Sequence, residues 1–284
     1  MTELRKRMEN DLVLRGMAER TREAYIGAVA RLALFYHRSP DRITDAEVQT
    51  YLLHLIQERK LSWSTCNIAT HGIRFFYHTT LGHDRVNFCI PTARQPSRLP
   101  EILSRDEVHR LINSTVTLKQ RAVLATTYAA GLRVSEVVHL KVSDVDSSRM
   151  TLRIQQGKGA KDRYTLLSPR LLGELRAYCR ESRPRVWLFP TRSGRPMDPT
   201  AAQKIYYMAK LRARINKQGG IHSLRHAFAT HLLEAGTDVH SIQRLLGHGH
   251  ISTTMRYFHL AQKTIMANAS PFDLLDDPTA QMKG

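Results

Sequence analysis

His222, Arg225, His248 and Tyr257 fall within 36 residues, in the segments His222-Ser-Leu-Arg225-His226, Leu246-Gly-His248 and Met255-Arg-Tyr257. These residue types suit attack on a phosphodiester. The planar guanidinium of an arginine grips two phosphate oxygens at once, which a lysine ammonium cannot do. Histidine moves protons near neutral pH. A tyrosine hydroxyl, with an ordinary pKa of about 10, becomes a covalent nucleophile when cations stabilise its phenolate. The combination predicts phosphoryl transfer through a phosphotyrosine.

The composition points to a polyanionic partner. The chain has 284 residues with 43 Lys plus Arg against 25 Asp plus Glu, a net charge of +18. Of these, 15 basic and 10 acidic side chains lie before Pro100, and 28 and 15 from there on, so the excess collects with the candidate chemistry. A hydrophobic content of 42% argues against disorder. The length allows two domains. No apolar run approaches the roughly 20 residues that span a bilayer, and the charged start Met1-Thr-Glu-Leu-Arg-Lys-Arg is unlike a signal peptide. Cys66, Cys89 and Cys179 are odd in number and widely spaced, which gives neither a disulfide framework nor a metal cluster. The expected location is cytoplasmic and nucleoid-associated.

Positioning these side chains requires a mainly helical protein with a small antiparallel β element. Residues 1–90 read as a bundle of four helices, with Thr21, Thr44 and Ser62 or Ser64 as helix caps. Three prolines between Pro91 and Pro100 predict an exposed linker over 91–100, leaving a second domain over 101–284. There, Ser104-Arg-Asp-Glu107 is a capping-box pattern, and Lys119–Ala130 predicts a helix ended by Gly131. Ser135–Leu140 predicts a short helix. Met150–Ile154 and Arg163–Leu167 alternate as the arms of a β-hairpin whose glycine-bearing turn carries Lys158 and Lys161. Further helices are expected over 169–181, 199–215, 222–235 (closed by Gly236), 238–246 and 253–263, the last capped by Ser252.

Five segments in order carry a family resemblance: Ala130-Gly-Leu-Arg133-Val-Ser-Glu136, Gly157-Lys158-Gly159, His222-Ser-Leu-Arg225-His226, Leu246-Gly-His248 and Thr253-Thr-Met-Arg-Tyr257. Together they resemble the tyrosine recombinase, or phage integrase, family, above all its compact Xer and transposon-encoded members. The match covers roughly 100–265, and the helical N-terminal part resembles the family's SAM-like core-binding domain. The resemblance implies that Arg133 and Arg225 clamp the scissile phosphate and stabilise the charge it gains in the transition state. Lys158 would protonate the leaving 5′-oxygen. His222 and His248 would contact the phosphate and handle the tyrosine proton, Tyr257 would attack, and Glu136 would support the site by pairing with an arginine or capping a turn.

His222 and His226 lie four apart on one helical face, as metal ligands can. Without a His-Glu-x-x-His pattern or a nearby cysteine, a metal is disfavoured, and His226 is expected to pack or cap. Tyr164, Tyr206 and Tyr207 are rival tyrosines expected in the core. No cofactor is expected: the phosphotyrosine conserves the bond energy, and no Gly-x4-Gly-Lys-Ser/Thr loop occurs. The expected partner is double-stranded DNA at specific sites, held by two domains that clamp it and by a synaptic tetramer. Candidate DNA contacts are Lys161, Arg74 on a helix over 62–74, Arg192 and Lys204. The apolar patch Pro271–Leu275 is a candidate for docking on a neighbouring protomer. The alternatives are a type IB topoisomerase and a basic DNA-binding protein without catalysis.

Overall fold

The computed structural model describes residues 2–89, 101–155 and 162–258. The expected linker at 91–100, the turn bearing Lys158 and Lys161, and the tail with Pro271–Leu275 lie outside the described residues. Contacts divide the chain into a unit of residues 1–97 and a unit of residues 98–284.

Among the described residues, the first unit holds α1 (Glu3–Leu14), α2 (Glu19–Tyr36), α3 (Asp45–Gln57) and α4 (Trp63–Phe75), which runs on into a π-helical turn, Phe76–Thr80. Its core comprises Met8, Leu12, Leu32, Val48, Leu52, Ile73, Phe76 and Phe88. The α2 and α4 backbones approach so closely at Gly72 that an added Cβ would lie 2.8 Å from Tyr25 Cα. Thr44 caps α3 in a reciprocal box with Glu47, and Ser62 caps α4. Thr21 is not a cap. It lies inside α2, which opens after Ala18, because a threonine two residues into an established turn has helical neighbours on both sides.

The second unit begins with α5 (Arg105–Asn113), α6 (Leu118–Ala129) and α7 (Val134–Val138). Then come β1 (Val145–Asp146), β2 (Thr151–Ile154) and β3 (Arg163–Leu166). Helices α8 (Pro169–Ser182), α9 (Pro199–Arg212), α10 (His222–Glu234), α11 (Val239–Leu246) and α12 (Ile251–Phe258) follow. The sheet is antiparallel in the order β1-β2-β3, with Val145 opposite Leu152 and Ile154 opposite Arg163. The mainly helical class with a small antiparallel sheet is as expected. The hairpin, however, gains a third strand, whose two residues are too few to show an alternating pattern.

Two helix boundaries also differ from expectation. Helix α12 opens at Ile251, so Ser252 is inside it rather than its cap. Helix α9 stops at Arg212, and the chain turns at Arg214, which holds a φ of 51°. Leu124, Leu132, Val137, Leu152, Leu171, Phe189, Tyr206 and Leu224 are buried in the core that ties the sheet to the helices.

Candidate active site

The site is built around the C-terminus of α11. Gly247 adopts a φ of 63°, which lets the chain reverse as a Schellman turn: His248 N donates to Gln243 O (3.2 Å) and Gly247 N to Arg244 O (3.1 Å). That turn leaves the carbonyls of Leu245, Leu246 and Gly247 needing donors. Each accepts from a different arginine. Arg163 Nε donates to Leu245 O (3.0 Å), Arg225 Nη2 to Leu246 O (2.7 Å) and Arg133 Nη2 to Gly247 O (3.5 Å). The negative end of the helix dipole favours the three cations there.

These arginines come from separate elements. Arg133 is the N-cap of α7 and follows Gly131, whose φ of 63° brings the backbone so close to Phe228 that a Cβ would collide with its ring. Arg163 opens β3. Arg225 lies in the first turn of α10, is 1% exposed, and also donates from Nη1 to Gly131 O at 2.6 Å.

A single buried carboxylate faces them. Glu136 accepts from the Arg133 backbone N–H (2.8 Å), from Arg133 Nη1 (2.7 Å) and from both terminal nitrogens of Arg163 (2.8 Å each). Arg225 Nη1 lies 3.7 Å away. Burial pushes the Glu136 carboxyl up, but the hydrogen bonds and charge of Arg163, with the Arg133 amide, overcome this and hold it at about 2. Glu136 thus both pairs with arginine and caps a turn. Among the described residues, three guanidiniums meet the Glu136 carboxylate, an excess of positive charge in this cluster. Burial, and then repulsion from Arg133, bring Arg225 down to about 10, still protonated at neutral pH.

Beside the cations lies a cluster of histidines around Tyr257. Tyr257 is buried (5% exposed) among Phe228, Ala229, Leu233, Ile242 and Leu246, so α12 packs on α10 and α11 of its own chain. The His248 ring stacks parallel to Tyr257, with centroids 6.3 Å apart, and its Nδ1 lies 2.8 Å from Thr254 Oγ1. His226 Nδ1 lies 3.0 Å from the Tyr257 hydroxyl. His222 stands edge-on to His226 with centroids 4.6 Å apart. Burial first, and cationic neighbours second, lower the pKa of all three, and His226 and His248 fall to about 4. The rings of His226 and His248 are therefore neutral at pH 7.

The structure brings together Arg133, Glu136, His222, Arg225, His248 and Tyr257. His226 neither merely packs nor caps, as expected of it: its position one helical turn after His222 places it on the tyrosine hydroxyl. Arg163 was not singled out from the sequence, where it reads as one more polar residue of a strand. Its only signal was a basic residue directly after the lysine-bearing turn. Tyr206 is buried in the core as expected, whereas Tyr164 and Tyr207 are exposed.

A groove of roughly 640 Å³ adjoins the arginines, lined by Arg133, Glu136, His139, Lys141, Gln155 and Trp187. Lys141 Nζ sits 5.6 Å from the Trp187 ring centroid and 3.3 Å from Gln155 Oε1. Gln155 and Arg163 stand on either side of residues 156–161, which hold Lys158 and Lys161 and lie outside the described residues. Of the other candidate DNA contacts, Arg192 and Lys204 are exposed in the second unit, and Arg74 is exposed on α4, donating to Phe88 O at 2.9 Å. Among the described residues, no group of three or more His, Cys, Asp or Glu side chains is placed to hold a metal.

Comparison with known proteins agrees with this arrangement. Residues 101–264 match the model of the phage integrase family, and residues 4–85 that of the phage integrase N-terminal SAM-like domain. A putative integrase/recombinase y4qK of Sinorhizobium fredii is 44% identical, over 98% of this chain and 91% of its own. Tyrosine recombinase XerA of Thermococcus kodakarensis is 35% identical, over 75% of this chain and 77% of its own. Among solved structures, XerA recombinase superposes with a TM-score of 0.56 at 26% identity, covering 94% of this chain and 97% of that one. XerH site-specific recombinase bound to its difH substrate in a post-cleavage complex gives a TM-score of 0.68 at 21% identity over 87% and 80%, a likeness of fold. With both units matched and the arginine, histidine and tyrosine side chains gathered in one place, the chain belongs to the phage integrase family of tyrosine recombinases, enzymes that cut and rejoin DNA in site-specific recombination.

Proposed function

We propose that Tyr257 is the nucleophile and that it forms a 3′-phosphotyrosine at a specific DNA site, with no metal or nucleotide taking part. The observation that carries this reading is the charge imbalance beside the tyrosine: among the described residues, three guanidiniums meet the buried Glu136 carboxylate. An anionic phosphate restores the balance, and the trigonal-bipyramidal transition state, which concentrates negative charge on the non-bridging oxygens, restores it further. Arg133 and Arg225 are the clamp. Arg163 and Glu136 hold the clamp in place. His222 and His248 contact the phosphate.

Lys158 is the general acid toward the leaving 5′-oxygen. Support comes from the two ends of its turn, since Gln155 lines the groove beside Arg133 and Arg163 is bound to Glu136. Lys161, Arg192, Lys204 and, in the first unit, Arg74 contact the DNA backbone. Residues 1–90 and 101–284 form two DNA-engaging domains joined by 91–100. The working assembly is a tetramer on paired sites, in the nucleoid. Among the described residues no helix is long and apolar enough to cross a membrane.

A DNA substrate nicked close to the cleavage point traps the covalent intermediate. The wild-type chain should give a protein–DNA adduct, and Tyr257→Phe should give none. An adduct that persists in Tyr257→Phe removes the nucleophile assignment. Lys158→Ala should slow cleavage of the natural 5′-oxygen by about a hundredfold or more. A 5′-thiolate leaving group, which needs no proton, should restore the rate.

A further inference from the structure

We propose that His226 is a further catalytic residue of this site: its Nδ1 takes the phenol proton of Tyr257 as the hydroxyl oxygen attacks phosphorus. The proposal rests on the reading of Tyr257 as the nucleophile.

The geometry comes first. His226 Nδ1 lies 3.0 Å from Tyr257 Oη, within proton-transfer distance of the reacting atom. The contact is held from both sides. Helix α10 is anchored through Arg225 to Gly131 and Leu246, and α12 packs its tyrosine ring between the His248 ring and the apolar cluster on α10 and α11. His248 is placed for a different task, because its Nδ1 faces Thr254 Oγ1 and its ring lies flat along the tyrosine ring.

Among the described residues, the rings of His222 on the same helix and Tyr257 on α12 meet His226, the charge of Arg225 acts on it, and His248 lies against the tyrosine ring. Burial and then the neighbouring His222 and Arg225 keep the imidazole unprotonated, with a pKa of about 4, so Nδ1 has a lone pair to offer at pH 7. A bound phosphate brings a negative charge beside Arg225 and so raises the proton affinity of the ring at the moment the proton must move.

The step balances. The Oη–P bond forms while the bond from phosphorus to the 5′-oxygen breaks. The phenol proton passes to His226 Nδ1, and the leaving oxygen takes its proton from the general acid. On rejoining, the 5′-hydroxyl attacks phosphorus and gives its proton to the conjugate base of the general acid, the Oη–P bond breaks, and His226 returns its proton to Tyr257.

Adduct formation on the nicked substrate tests this, with folding checked by thermal melting and DNA binding by gel shift. Asparagine places an acceptor oxygen near the Nδ1 position but cannot hold the proton. H226N should therefore bind DNA normally yet form adduct about a hundredfold more slowly. Its rate should climb with pH from 7 to 9, where the wild-type rate is flat. H226A should regain rate on addition of imidazole.

An H226N rate within threefold of wild type overturns the proposal. So does a slow variant with a wild-type pH profile and no imidazole rescue, which marks a structural role. Should both variants fail to fold, 15N-histidine NMR of the wild-type chain decides: a bare Nδ1 with the proton on Nε2 supports the proposal, and a protonated Nδ1 overturns it. Tyr257→Phe separates the two readings. An adduct surviving that change removes both, whereas loss of adduct there together with a normal H226N removes only the role of His226.

Discussion

Glu136 is the one residue through which most of the site's charge is balanced, so its removal should be felt in stability before catalysis is considered. Glu136→Gln leaves Arg133, Arg163 and Arg225 facing one another with their buried counter-charge gone. Deleting one partner of a buried ion pair costs about 3–5 kcal/mol. A matching drop in the urea midpoint is expected. The pH dependence adds a second check. The Glu136 carboxyl is held at about 2 against an ordinary 4.5, so its contribution is complete above pH 4.5 and is lost as the pH falls to about 2.

The histidines act earlier. His226 and His248, at about 4 against an ordinary 6.5, take up protons more readily when unfolded, so stability falls from pH 6.5 down to 4. Thermal melting against pH should thus fall in both ranges, and Glu136→Gln should make the lower descent shallower, the rest of it coming from other ion-paired carboxylates such as Glu107 and Glu174. At this scale the sequence was informative wherever chemistry belongs to a side-chain type at a fixed spacing, as with Arg133, Arg225 and Tyr257. It could not rank His226 against His222, because residues four apart share one helical face and only the position of α12 tells them apart.

Elements carry what side-chain letters cannot. The acceptors that fix the three arginines are backbone carbonyls, and no residue type announces a carbonyl. The two-residue strand β1 escaped for a related reason, since alternation needs more than one repeat to be seen. The capping box at Ser104 and the cap at Thr44 were legible because each is marked by residue types at a set interval, although the reciprocal box that Thr44 forms with Glu47 was not read. The turn after α11 offers a matched test. Gly247 (φ 63°) and Gly236 (φ 87°) both use the left-handed conformation, but a Cβ at Gly247 would lie 2.7 Å from Arg163 Cδ, while one at Gly236 meets nothing within 4 Å. Alanine at Gly236 should lower stability by about 1–2 kcal/mol from backbone strain, and alanine at Gly247 by more, because its Cβ also displaces the ion-paired Arg163. Only Gly247→Ala should also slow adduct formation well beyond its effect on folding. Equal cleavage rates in the two variants would show that the Arg163 contact is immaterial to the site.

At the scale of the molecule, the packing of α12 bears on the proposed attack by Tyr257, because it sets which copy's arginines stand beside the tyrosine. Tyr257 is enclosed by α10 and α11 of its own chain, next to its own arginines. On the proposed role of Tyr257 as nucleophile, cleavage in cis is the expected outcome. Mixing Tyr257→Phe with Arg225→Ala should therefore yield no adduct, since neither protein contains a whole site. Adduct in the mixture would mean that copies exchange α12. The two-unit organisation was readable from the proline-rich stretch, and the basic excess from composition.

The end of α11 has one more consequence. Because three consecutive carbonyls seat three guanidiniums, the spacing of the cations is set by the backbone of the last turn of α11 and the reversal at Gly247, and not by the side chains of Leu245 and Leu246. Helix α11 works as a ruler. Its outward-facing letters can drift during evolution without moving the cations. Inserting or deleting a single residue there would put every arginine out of register, even in a chain that keeps each catalytic residue type.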